Sequence, residues 1–156
     1  IEPMNIKTIV LAMMLYAFCF FQIAVAGHKK LSQEESEFIN AACSNDLELV
    51  KKFIKGGIDV NIQDNHGNTA LMWAAYNNNL EMVKHLIERG AKVNAQDNDG
   101  YTALMWLAYK NNLFAVEYLI ECEVDVNTKG KYGKTALIWA AYNNNLEMVK
   151  HLIERG

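Results

Sequence analysis

The chain has 156 residues, 51% hydrophobic and 21% charged, with a formal net charge of −3 at pH 7. That length suits one ordinary domain, and an acidic balance without a basic patch gives a nucleic-acid partner no footing. Three scattered cysteines are too few for a disulfide framework.

The first element in chain order is an export signal. Residues 1–3, "IEP", are set aside: without an initiator Met they do not look like the start of a translated signal, and they point to a frame extended upstream or to a fragment. Residues 4–26 read as a signal peptide. Lys7 supplies the charged start, "IVLAMMLYAFCFF" at 9–21 the apolar run, and Ala24 and Ala26 the small-residue exit, so cleavage is expected between Ala26 and Gly27. The expected location is periplasmic or secreted. The rival is an uncleaved N-terminal membrane anchor, because 8–26 nearly reaches the ~20 residues of a spanning helix and Lys29 and Lys30 follow the exit. Phe18, where a small residue should precede Cys19, argues against a lipoprotein signal.

The remainder, 27–156, is written in a 33-residue period. "HGNTALMWAAYNNNLEMVKHLIERGAKVNAQDN" begins at His66, "DGYTALMWLAYKNNLFAVEYLIECEVDVNTKGK" at Asp99 and "YGKTALIWAAYNNNLEMVKHLIERG" at Tyr132. A weaker copy, "AACSNDLELVKKFIKGGIDVN", begins at Ala41. Such a period means a stacked array of small units. Within a unit, Gly67, Gly100 and Gly133 permit a tight turn, and Thr69, Thr102 and Thr135 are placed to cap a helix. A short helix through "ALMWAAY" is broken by "NNN", since Asn bonds its own backbone. A second helix from Leu80 sets Met82, Val83, Leu86 and Ile87 on one face and ends at Gly90. "AKVNAQDNDG" then reads as an extended arm ending in a turn. Two helices of this size cannot hide their apolar faces alone; side by side, the units share one core.

The pattern G-x-T-A-L-x-x-A-A, then L-E-x-V-x-x-L-I, then G-A-x-V-N resembles the ankyrin repeat over roughly residues 31–156. The resemblance implies an all-α ankyrin-repeat solenoid of about four units: 31–63, 64–96, 97–129 and an incomplete 130–156. It implies a non-catalytic protein-binding module that needs no cofactor. The family's T-P-L-H tetrad reads Thr69-Ala70-Leu71-Met72 here, so Met72, Met105 and Ile138 are expected to replace its polar link by apolar packing. Glu123 stands where Gly90 stands, and a left-handed backbone there would cost about 1 kcal/mol; a rearranged, weaker cap is expected. Ser32 and Glu35 form a capping-box pattern at the start of the first unit. Gly156 corresponds to Gly90, so further repeats or a second copy are expected to cover the last helix.

Few residues suggest chemistry. His85 and His151 share one repeat position two layers apart, about 20 Å at ~10 Å per layer, and read as polar surface rather than metal ligands. Cys43 and Cys122 are too far apart to bridge. No phosphate loop, metalloprotease helix motif or nucleophile elbow occurs. Lys84 and Glu88 read as an i, i+4 pair. Trp73, Trp106 and Trp139 recur at one helix position and read as core filler between units rather than an aromatic ligand box.

The expected partner surface has two parts, both implied by the resemblance. Tyr76, Tyr109 and Tyr142 close the first helices on the groove side, with Asn77, Lys110 and Asn143 beside them. The turn tips add Asn65, His66 and Asn68, then Asn98, Asp99 and Tyr101, then Lys131, Tyr132 and Lys134. Tyr is the kind of rigid amphipathic side chain that concentrates binding energy. The expected function is therefore an exported scaffold that grips a protein partner, with no nucleic acid or small-molecule substrate. The alternative is a spacer in a larger, membrane-anchored polypeptide.

Overall fold

The computed structural model describes residues 30–156; the segment read as an export signal, 4–26, and its Ala26–Gly27 junction lie outside the described residues. No helix among the described residues is long and apolar enough to cross a membrane.

Residues 32–156 form one compact unit of four helix pairs. They are α1 (Gln33–Cys43) with α2 (Leu47–Lys55), α3 (Ala70–Tyr76) with α4 (Leu80–Glu88), α5 (Ala103–Tyr109) with α6 (Leu113–Glu121), and α7 (Ala136–Tyr142) with α8 (Leu146–Arg155). One 3₁₀ turn, Lys131–Gly133, precedes α7. Among the described residues β structure is confined to a single bridge between Gln63 and Thr69. The all-α repeat solenoid expected from the sequence is what residues 32–156 form.

Each boundary has a local cause. Thr69, Thr102 and Thr135 accept hydrogen bonds from the amides of Met72, Met105 and Ile138 and so start the short helices. Asn78, Asn111 and Asn144 then take left-handed backbone, φ 60°, 62° and 56°, which Asn tolerates better than most residues. Asn79, Asn112 and Asn145 restart the chain by capping α4, α6 and α8. In the first unit Ser32 and Glu35 make the expected reciprocal capping box.

Alanine sets how closely the units stack. Ala70, Ala74 and Ala75 are fully buried, which lets α3 pack closely between α1 and α5, as α5 packs between α3 and α7. The second helices touch one another less and bury their apolar faces inward, through Met82, Val83 and Leu86 in α4. Met72 and Met105 are each only 2% exposed, so they do supply the apolar link between units. Ile138 does not: it is 47% exposed, because no unit lies against it among the described residues.

Asparagine also ties the units together. Asn79 Nδ2 donates to Asn45 Oδ1 at 2.8 Å, Asn112 repeats the bond to Asn78 at 2.6 Å, and Asn145 bonds Asn111 likewise. Lys84 departs from the expected pairing with Glu88. Its ammonium lies 5.2 Å from the ring centroid of Tyr118 in the next unit, a cation–π contact that reaches across the stack.

Glu123 also corrects the sequence reading. It keeps the left-handed conformation, φ 58°, and its amide donates to Ile120 O as that of Gly90 does to Ile87 O. Val124 N–H donates to Leu119 O as Ala91 does to Leu86 O. The cap is retained, and the strain sits in one residue instead of being spread by rearrangement. Glu123→Gly is accordingly expected to raise stability by about 1 kcal/mol, read as a higher urea midpoint; a lower midpoint would mean that the Glu side chain compensates.

Candidate functional site: an aromatic groove across the first helices

The helical spacing i, i+3 sets Trp73 beside Tyr76, Trp106 beside Tyr109 and Trp139 beside Tyr142 on one face of α3, α5 and α7. Stacking the units joins these pairs into a ladder. Ring centroids run Trp73–Tyr76 5.9 Å, Tyr76–Trp106 5.4 Å, Trp106–Tyr109 6.4 Å, Tyr109–Trp139 5.4 Å and Trp139–Tyr142 6.2 Å. Interplanar angles lie between 78° and 84°, the edge-to-face arrangement that ring quadrupoles favour. The tryptophans are therefore not core filler. They are half-buried, and the core beneath them is made by Leu71, Met72, Ala74 and their repeats.

Between the third and fourth units the ladder opens into a groove of 620 Å³. Its floor is Trp106, Trp139, Met105 and Ile138; Tyr76, Tyr109, Tyr142 and Tyr101 wall it, and Lys110 and Lys134 stand at its rim. A smaller hollow of 250 Å³ lies one unit earlier, against Asn68, Met72, Trp73, Tyr76 and Trp106. Tyr76 and Tyr109 are 42% and 41% exposed and Tyr142 76%, so the walls are accessible.

Tyr101 reaches the groove from its turn, 6.0 Å from Trp106 and 6.3 Å from Trp139. The reason is Gly130, which takes the place of Asp64 and Asp97: a Cβ there would lie 3.0 Å from the Tyr101 ring. Lys110 Nζ sits 4.0 Å from the Tyr76 centroid and Lys134 Nζ 4.4 Å from that of Trp139. Both ammonium groups are held over ring faces by cation–π attraction.

The other residues singled out in the sequence have different surroundings. Asn77 Nδ2 donates to Ala42 O at 3.0 Å and Cys43 O at 2.9 Å, and Asn143 donates to Ala108 O and Tyr109 O. These amides are committed to holding one unit to the last. At the turns, Asn68 bonds Asp64 through its backbone amide at 2.9 Å. Asn98 Nδ2 donates to Asn65 O at 3.0 Å, while Asn98 N–H donates to His66 O at 2.9 Å. Asp99 pairs with Lys131 at 3.0 Å, which holds that ammonium above its ordinary pKa. Asp97, at the root of the same turn, is half-buried, and its desolvation holds the carboxyl above the usual carboxylate value. His66 and Tyr132 have exposed side chains, Tyr132 at 85% and with left-handed backbone, φ 59°. The structure thus brings Tyr76, Tyr109, Tyr142, Tyr101, Lys110 and Lys134 to one groove and leaves the rest on the turns or between units.

Sequence reasoning missed Trp106 and Trp139 as the floor of the groove, although their i, i+3 relation to the tyrosines carried the signal. Among the described residues no three His, Cys, Asp or Glu side chains converge as a metal site would require. His151 instead faces Glu117 of the preceding unit at 3.4 Å. Cys43 and Cys122 are both free thiols.

One family model, described as ankyrin repeats (3 copies), matches residues 12–97, 38–130 and 93–156. The helix pairs, the Thr caps and the glycine turns all lie within the matched residues. The chain belongs to the ankyrin repeat family.

Proposed function

We propose that this chain is an exported, non-catalytic scaffold that docks a protein partner on the aromatic groove and the adjoining turns. Ankyrin repeats are generally protein–protein interaction modules, which supports the broad reading. The observation that carries the specific one is the accessible Trp–Tyr ladder: large rings, already ordered by edge-on contacts, offer apolar area at little further entropic cost on binding. The turns beside it contribute His66 and Tyr132 as exposed side chains.

Replacing Tyr76, Tyr109 and Tyr142 together with Ala is expected to weaken partner capture by at least about tenfold, since truncating a hot-spot aromatic costs about 2 kcal/mol or more. Far-UV circular dichroism should report unchanged helicity, because none of the three is a core residue. Capture that survives the triple change would remove the groove from the function.

Export rests on the sequence of residues 4–26. Intact-mass measurement of the protein expressed with its full N-terminus is expected to find the chain beginning at Gly27. Retention of the segment would favour the membrane-anchored alternative.

A further inference from the structure

Three departures from the repeat pattern meet at the groove between the third and fourth units, and all three move its charge in one direction. Position 110 is Lys where 77 and 143 are Asn, position 134 is Lys where 68 and 101 are the uncharged Asn and Tyr, and position 130 is Gly where 64 and 97 are Asp. The first forgoes a bond that its neighbours make: Asn77 and Asn143 donate to carbonyls of the preceding unit, and Lys110 does not. The third removes an acceptor. Trp73 Nε1 donates to Asp64 Oδ2 at 3.2 Å; Gly130 leaves the Trp139 indole with no counterpart of that acceptor, whereas Trp106 keeps Asp97 at the corresponding position, although no hydrogen bond joins the two. Neither indole is sealed from solvent, since no buried side-chain donor lacks a partner among the described residues. Lys110 and Lys134 likewise pair with no carboxylate among the described residues, and no Asp or Glu lines the groove.

The groove therefore presents two ammonium groups and two unused indole donors around an apolar floor, on a chain whose net charge is −3. Hydrogen-bond donors without acceptors are complementary to carboxylates. The apolar floor asks for an aliphatic or aromatic side chain between them. A long polyanion is disfavoured, because the chain as a whole carries a net negative charge. We infer that the groove takes a short acidic segment of a partner protein, with Asp or Glu side chains at Lys110 and Lys134 and an apolar residue seated against Trp106 and Trp139. This rests on the groove being the docking surface, and the test separates the two ideas.

The full chain is used to select from a random peptide library, and affinities of the selected peptides are read by tryptophan fluorescence. Selected sequences are expected to place Asp or Glu within a few residues of an apolar side chain. Lys110→Asn and Lys134→Asn should each weaken binding about threefold, in the range of accessible ion pairs. Lys110→Asn restores the residue found in the adjacent units, so its melting midpoint should not fall, which keeps a binding loss from being read as unfolding. Neutral or basic peptides that are lost on Tyr109→Ala but indifferent to both Lys changes would overturn the acidic segment and leave the groove standing. Peptides indifferent to all three changes would overturn both. Tighter binding of an oligo-dT strand than of any selected peptide would also overturn the inference.

Discussion

Gly67→Ala is expected to destabilise the stack by about 3 kcal/mol, combining the cost of a left-handed non-glycine residue with that of overpacking. Gly67 has φ 82°, and an added Cβ would lie 2.7 Å from Asn98 N and 3.0 Å from Asp97 C, in the backbone of the next turn. The same intrusion would break the Asn98 N–H to His66 O bond that joins the two turns. Gly90 is the control. Its φ is 92°, but nothing lies within 4 Å of its would-be Cβ, so Gly90→Ala should cost only the conformational part, about 1 kcal/mol. Urea denaturation of both variants measures the difference. Equal losses would mean that the turns do not pack on one another as described.

The second large effect uses one residue type at one repeat position. Leu104 in α5 is 1% exposed beneath a following unit, whereas Leu137, its counterpart in α7, is 36% exposed. Leu104→Ala should cost about 3 kcal/mol or more, because a closed site keeps the cavity it is given. Leu137→Ala should cost about 1 kcal/mol, since less area returns to water and no cavity closes around it. The gap measures what the neighbouring unit contributes. Identical losses would contradict a core shared between units.

The local part of the fold was legible because every boundary has a nearby cause. Thr69 with Met72, Asn79 with Met82 and Ser32 with Glu35 are all within three residues, so the helices at 70–76 and 80–88 follow from the sequence and recur every 33 residues. Effects that cross from unit to unit were harder to read. Asn77 looks like a groove residue until Ala42 O and Cys43 O, more than thirty positions earlier, come to lie against its amide. The tryptophans looked like core because size alone suggests burial. Their face is fixed by alanines at 74, 75 and 108 that fill the interior and leave the rings at its edge. At Glu123 the cap expected to rearrange is kept: hydrogen bonds from three successive amides, those of Cys122, Glu123 and Val124, hold it in the left-handed conformation. Lys110 was singled out beside Tyr109, but its place over the Tyr76 ring of the preceding unit appears only once the units are stacked.

The central claim is that a partner seats against the ring ladder, and the three indole N–H signals report on it directly. In a nitrogen-15 spectrum of the full chain titrated with the partner recovered by affinity capture, Trp106 and Trp139 should shift most and Trp73, already bonded to Asp64, least. Unmoved indole signals, with changes confined to amides of α4, α6 and α8, would contradict it.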